Sequence, residues 1–135
     1  MKTRGVIALA VLLAGLPQPG QADDCSDMTQ SAMNQCAGET YETADAELNA
    51  KYQEIRQRLP GNDDARALLT AAQRNWIAYR DAECKFSSAS VQGGSIYPTI
   101  YANCLETITR SRIGDFDRYL ACEEGDLDCP VPAGN

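Results

Sequence analysis

The side chains best suited to chemistry are neighbouring carboxylates: Asp45/Glu47, Asp63/Asp64, Asp81/Glu83 and Glu123/Glu124. Two acids set a few ångströms apart can cleave a glycosidic bond, one as proton donor and the other as nucleophile or base. The chain has no histidine. Ser–His–Asp and Cys–His arrangements are therefore impossible, and the commonest general base and metal ligand is missing. In an acidic helical chain such carboxylate pairs ordinarily form solvated faces or helix N-terminal charge. No catalytic set is assigned, and the chain reads as a non-enzyme. No phosphate-cradling or dinucleotide-binding glycine motif is present. The acidic run from Glu123 to Asp128 lacks the alternating oxygen ligands and closing glutamate of a calcium loop. Neither a metal nor a cofactor is expected.

The remaining reactive residues are six cysteines, Cys25, Cys36, Cys84, Cys104, Cys122 and Cys129. Without histidine or a CxxC pair they do not read as a zinc site. An even number behind an export signal reads as a disulfide framework. The signal is at the start of the chain. Lys2 and Arg4 precede an apolar stretch of 12 residues, Gly5 to Leu16, too short to span a bilayer. Pro17 and Pro19 follow, and Gly20-Gln21-Ala22 supplies the small residues of a cleavage site. Residues 1–22 are thus expected to be a signal peptide, leaving residues 23–135 as a single domain in the periplasm or outside the cell. Ala22-Asp23-Asp24 before Cys25 is not a lipid-attachment motif, so no membrane association is expected after cleavage. Loss of Lys2 and Arg4 takes the net charge from −7 to −9. That balance disfavours nucleic acid and anionic lipid, and suits either solubility or a cationic partner.

Three helices must position these residues, giving an all-α, up-down-up arrangement stapled by disulfides. In the first, capped by Ser26 or Asp27, Ala37, Tyr41, Ala44, Leu48, Tyr52, Ile55 and Leu59 step by three or four, the spacing of one buried face. Pro60-Gly61-Asn62 stops it. The second, capped by Asn62 or Asp63, carries Leu68, Leu69, Ala72, Trp76, Tyr79 and Ala82 at helical spacing and runs to about Phe86. The third starts near Tyr97-Pro98, with proline in the first turn. It buries Ile100, Tyr101, Cys104, Leu105, Ile108, Ile113, Phe116 and Leu120. Arg80 beside Asp81 is expected to lock helices together as an ion pair. Tyr41, Tyr52, Trp76 and Tyr79 are expected in the core.

Hairpin geometry allows two disulfide patterns. If the first turn centres near residue 60, Cys36 faces residue 84; this favours Cys36–Cys84 with Cys25–Cys104. If the second turn, centred near residue 94, governs, Cys84 faces Cys104, and Cys25 pairs with Cys36. The first pattern is preferred on the sequence. Cys122–Cys129 closes a local loop (122–129) in both.

The segment from Ser87 to Ser95 is the one connection long enough to suggest function. In Gly93-Gly94-Ser95-Ile96-Tyr97, the glycines permit close approach by a partner. Ser95 and backbone amides can donate to a carboxylate, and Tyr97 offers a rigid amphipathic contact. The plainer reading is a linker with a turn.

At these residues the sequence resembles the LprI-like lysozyme inhibitor family of small exported bacterial domains. The matching elements begin with Cys36, Tyr41, Asp45, Glu47-Leu48-Asn49 and Tyr52. They continue with Ala72-Gln73, Trp76-Ile77, Tyr79-Arg80-Asp81 and Cys84, then Gly93-Gly94-Ser95, Cys104, Thr109 and Arg112. The resemblance runs from about Cys25 to Leu120. It implies a binding protein without catalysis whose partner is a protein, lysozyme or a related muramidase. Many lysozymes are cationic and carry an acid/base carboxylate in their cleft, and an acidic inhibitor is steered toward such a surface. Asp45, Asn49, Tyr52, Gln73, Trp76, Arg80 and Asp81 then stand as structural motif residues, and Gly93, Gly94, Ser95 and Tyr97 as the partner-binding loop. The alternative is a periplasmic interaction, envelope-stress or immunity module with a non-lysozyme partner.

Overall fold

The computed structural model describes Cys25 and residues 28–134. The signal segment and the caps expected at Ser26 or Asp27 lie outside the described residues. The helices are α1 (Gln30–Gln57), α2 (Asp63–Ser87) and α3 (Tyr97–Leu120), with a short 3-10 turn at Ala89–Val91. Among the described residues there is no strand.

Local chemistry sets the helix ends. Thr29 caps α1, its side chain accepting from the Ala32 amide. The helix starts this late for a covalent reason. Cys25 is bonded to Cys36, with their Cα atoms 5.8 Å apart. A continuous helix would separate them by about 16 Å, so α1 cannot extend unbroken back to Cys25. Gly61, at φ 70°, makes the turn after α1 in a conformation open to glycine. Asn62 caps α2 by accepting from the Ala65 amide, and Asp63 and Asp64 place negative charge in its first turn. Pro98 stands in the first turn of α3.

The helices run up, down and up, and the two upward ones pack most closely. At one end of this parallel pair the Thr99 hydroxyl of α3 donates to Asn34 of α1 at 2.6 Å. Near the other end Lys51 Nζ lies 2.6 Å from Asp117, and Arg58 donates to the Leu120 carbonyl at 2.9 Å. Ala44, Leu48 and Ile55 of α1, and Leu59 just after it, pack with Ile113 and Phe116 of α3 in one core cluster. Helix α2 runs antiparallel to both, joined to α1 by Tyr52–Thr70 and Asp45–Arg80.

The placement of α2 corrects two sequence expectations. First, Leu68 and Tyr79 are 73% and 57% exposed, and Ala82 is also exposed. The inward face of α2 is instead Gln73, Arg80 and Cys84, with Leu69 and Trp76 partly buried. Second, the preferred Cys36–Cys84 and Cys25–Cys104 pairing is replaced by Cys25–Cys36 and Cys84–Cys104; Cys122–Cys129 forms as expected. The ties between α1 and α2 explain why. Tyr52 meets Thr70 and Asp45 meets Arg80, pairs whose numbers sum to 122 and 125 where a turn centred on residue 60 requires 120. The position opposite Cys36 thus passes Cys84. Cys84 therefore has Cys104 as its partner, with Cα atoms 5.5 Å apart.

After α3 the Cys122–Cys129 bond turns the chain back on the bundle. It delivers Val131, only 3% exposed, into the core cluster beside Leu59. Gly134 lies over the Arg58 guanidinium, where a Cβ would come within 3.0 Å of it. The tail is thus a lid on one end of the core. Val131→Ala is expected to cost about 2 kcal/mol, the transfer value of two buried methylene-sized groups. The shift of the urea midpoint measures it.

Candidate functional site

Two groups of sequence-selected residues come together at different levels of the bundle. The first surrounds Arg80, which is 7% exposed on the inner face of α2. Its Nε donates to Asp81 at 2.9 Å and its Nη1 to Asp45 of α1 at 3.1 Å. The second oxygen of Asp45 accepts from Asn49 at 3.0 Å. The guanidinium carbon lies 5.1 Å from the Trp76 ring centre and 5.5 Å from that of Tyr41, distances at which the ring quadrupole attracts a cation. Burial alone would lower the Arg80 pKa. Hydrogen bonds and charge from Asp81, Tyr41 and Asp45 outweigh it, and the group ends above its ordinary value. The neighbouring phenols respond in kind. Burial raises Tyr41, and the charges of Asp45 and Asp81 add to the rise against an opposing Arg80. Burial likewise raises Tyr101 of α3, with Asp81 and Tyr97 adding to it.

The remaining motif residues tie helices in the same way. The Tyr52 hydroxyl meets that of Thr70 at 3.1 Å, and the Tyr52 ring packs 6.3 Å from Phe116. Gln73, buried in α2, accepts from Arg112 of α3 at 3.3 Å. Arg112 also donates to Asp115 and lies 4.7 Å from the centre of the Phe116 ring. Asp45, Tyr52, Gln73 and Arg80 thus tie α2 to the parallel pair with polar contacts where an apolar seam was expected, Trp76 and Asp81 flank the Arg80 guanidinium, and Asn49 braces Asp45 within α1. Two of the acids with the most suggestive spacing, Asp45 and Asp81, are engaged by one guanidinium. Among the described residues no group of three or more His, Cys, Asp or Glu is arranged to hold a metal.

The second group is the connection between α2 and α3. Residues 92–96 are all exposed, including Gly93, Gly94 and Ser95. Gly93 sits at φ 82°, a left-handed conformation that favours glycine. At Gly94 a Cβ would lie 3.1 Å from the Val91 carbonyl, which the Gly94 amide already approaches at 3.0 Å. The Tyr97 amide donates to the Gly94 carbonyl, and the Tyr97 ring stacks on Tyr101 at 5.6 Å. Both flanks are fixed. Before the loop, buried Ser88 donates to the Cys84 carbonyl at 2.6 Å, and Cys84 is bonded to Cys104. After it, Asn34 of α1 donates to the Ser95 carbonyl at 3.1 Å and accepts from Thr99 and Gln30.

Sequence reading missed Gln30, Asn34 and Thr99, the residues that pin this loop. Each is polar and belongs to no periodic stripe, and the three converge only because α1 and α3 begin at the same end of the bundle. The loop faces solvent and the Arg80 web binds the scaffold, and Tyr101 links them, stacking on Tyr97 and lying within the electrostatic reach of Asp81 and Arg80.

A model of the family described as lysozyme inhibitor LprI matches residues 22–116. A protein of Rhizobium meliloti (strain 1021) described as uncharacterized is 32% identical, with 87% of this chain and 95% of its own length covered. No solved structure matches. The family match takes in α1, α2, the exposed loop and most of α3, and ends at Phe116, short of the disulfide-closed tail. The chain belongs to the LprI lysozyme inhibitor family.

Proposed function

We propose that this is an exported protein that binds and blocks lysozyme or a related muramidase by presenting Gly93, Gly94, Ser95 and Tyr97 to the enzyme, with no chemistry of its own. The observation that carries this reading is an exposed loop whose two flanks are fixed, by the Cys84–Cys104 bond on one side and the Asn34 contacts on the other. A loop already ordered before docking loses little conformational freedom on binding. The glycines let an enzyme surface approach the backbone closely, and the charge of −7, or −9 without the first 22 residues, favours a cationic partner. Three disulfides fit an oxidising compartment. Among the described residues no helix is long and apolar enough to cross a membrane.

The test is a cell-wall lysis assay in which the oxidised protein is titrated against animal-type and bacterial lysozymes at low and moderate salt. Saturable inhibition that weakens with salt is expected. Tyr97→Ala is expected to weaken it by roughly 30-fold, the effect of losing an anchor worth ~2 kcal/mol. Ser95→Ala should weaken it less, and deletion of Gly93-Gly94 should abolish it. Unchanged inhibition in all three variants removes the loop from the interface. No inhibition of any lysozyme by the folded wild-type protein favours a periplasmic interaction or immunity module with a different partner.

A further inference from the structure

The tyrosines near the loop are not all used by the fold. Tyr52 ties α1 to α2 through its hydroxyl. Among the described residues the hydroxyls of Tyr41, Tyr97 and Tyr101 have no hydrogen-bond partner. All three residues are partly buried, yet none of these hydroxyls is enclosed. The rings are therefore held by the bundle while the oxygens open to solvent. The three are neighbours. Tyr97 and Tyr101 stack with ring centres 5.6 Å apart and planes at 13°. Burial raises the Tyr101 phenol, and Asp81 of α2 adds to the rise. Burial raises Tyr41 as well, with Asp45, Asp81 and Tyr101 adding to it against an opposing Arg80. An aromatic run thus leads from the exposed loop across α3 to α1, with Asp81 at its border.

The carboxylates decide which ligand this run fits. Asp45 and Asp81 set two negative charges against one guanidinium, so one remains in excess. Both oxygens of Asp45 are occupied, one by Arg80 and one by Asn49. Asp81 gives Oδ1 to Arg80 Nε and keeps Oδ2 open, on a side chain that is 40% exposed. A guanidinium fork docks on both oxygens of one carboxylate, and here only one is open. An ammonium is a compact charge with three donors in different directions. One carboxylate oxygen beside the phenol oxygens of Tyr41 and Tyr101 suits that geometry. The ring faces add their own attraction for a cation.

We propose that Asp81, Tyr101 and Tyr41 form a subsite, continuous with Tyr97 of the loop, that receives a lysine side chain of the bound lysozyme. The proposal rests on the loop being the lysozyme-binding surface, and it supplies what the loop lacks. Gly93, Gly94, Ser95 and Tyr97 carry no charge, whereas a cationic partner is best met by a negative group at the contact. Asp81 provides that group, and Tyr101 joins it to the loop. The aliphatic stem of the lysine lies along the stacked rings while its ammonium meets the oxygens. Raised phenols stay neutral at ordinary pH, so Tyr41 and Tyr101 accept hydrogen bonds without adding charge.

Calorimetric titration of the oxidised protein with an animal-type and a bacterial lysozyme, at low and moderate salt, tests the proposal. Circular dichroism is the control for folding. Asp81→Asn removes the charge while its amide oxygen keeps the Arg80 bond. It is expected to weaken binding roughly tenfold at low salt, and by less at moderate salt, where the lost attraction is screened. Tyr101→Phe keeps the stack on Tyr97 and removes one acceptor, for a loss of roughly fourfold; it carries the test alone if Asp81→Asn folds poorly. Acetylation of the enzyme's lysines removes their charge, and the acetylated enzyme should bind wild type and Asp81→Asn alike. Binding that Tyr97→Ala weakens, and that Asp81→Asn and Tyr101→Phe leave unchanged, overturns the subsite while the loop reading stands. An Asp81→Asn loss that does not shrink with salt, or that survives acetylation, makes Asp81 a support of the scaffold or the partner of an arginine, and overturns the lysine assignment. No binding of either lysozyme by the folded wild type overturns the lysozyme reading and the subsite with it.

Discussion

Arg80→Ala is expected to lower stability by about 3 kcal/mol, toward the lower end of what breaking a buried ion pair costs. The reason lies in what the guanidinium touches. It bridges Asp45 on one helix and Asp81 on another, and lies near the rings of Trp76 and Tyr41. Removal leaves a void between aromatic rings and unties α2 from α1. The two carboxylates are each more than a third exposed, so water recovers part of their solvation, which keeps the cost from rising further. Arg80→Lys should recover only part of the loss, since an ammonium cannot reach two carboxylates with a planar fork. Urea denaturation gives the comparison, and a fall of about 10–15 °C in melting temperature should accompany it for a domain of this size. A loss under 1 kcal/mol would mean that the web is screened by solvent and that apolar packing alone holds α2.

Replacing Cys84 and Cys104 together by alanine should cost a similar amount, about 3 kcal/mol for a closed loop of some twenty residues. The functional effect is expected to be larger than for the other two bridges. Cys25–Cys36 and Cys122–Cys129 span 11 and 7 residues at the ends of the chain, whereas Cys84–Cys104 encloses the exposed loop. Without it, residues 92–96 keep the Asn34 contact and their local backbone bonds but lose the covalent tie that holds both flanks together, and ordering the loop becomes a cost of binding. Lysozyme inhibition should therefore fall by at least tenfold at a temperature where circular dichroism shows the variant folded. Removing Cys122–Cys129 should leave inhibition unchanged. Full inhibition after loss of Cys84–Cys104 would assign loop placement to Asn34, Gln30 and Thr99 alone.

Helix positions were legible in the sequence because each has chemical punctuation: Pro60-Gly61-Asn62 between α1 and α2, and Pro98 at the start of α3. The buried faces of α1 and of the second half of α3 were legible too, since Leu48, Ile55, Ile113 and Phe116 belong to single apolar stripes, but Ile100, expected in the core, is 38% exposed, and Ala102 and Thr109 are buried instead. Helix α2 was misread because it carries two stripes. Leu68, Tyr79 and Ala82 look like a core seam, and hydropathy ranks them above Gln73 and Arg80. Only the partners waiting on the other helices, Arg112 for Gln73 and Asp45 for Arg80, make the polar stripe the inward one. The cysteine pairing failed on a related point. A facing rule depends on where the turn is centred, and the pairs Tyr52–Thr70 and Asp45–Arg80 set the register two to five residues beyond a turn centred on residue 60, so the position opposite Cys36 passes Cys84. The exposed glycine loop was recognised from composition, but its anchors were not. Nothing local marks Asn34 as a residue that will reach Ser95 across 61 positions of sequence.

The close parallel pairing of α1 and α3 has a kinetic consequence. A helical protein usually folds fast because its contacts are short in sequence, but this core depends on distant ones. Asn34 meets Thr99 across 65 positions, and Arg58 meets the Leu120 carbonyl across 62. Closing so long a segment loses chain entropy before any core contact compensates for it. Helix α2 and the loop must therefore be roughly in place before the main hydrophobic cluster forms. High contact order of this kind places the refolding rate nearer that of mixed α/β domains than of simple helical hairpins. During that interval the apolar faces of α1 and α3 stay open to solvent, so chain collisions compete with folding.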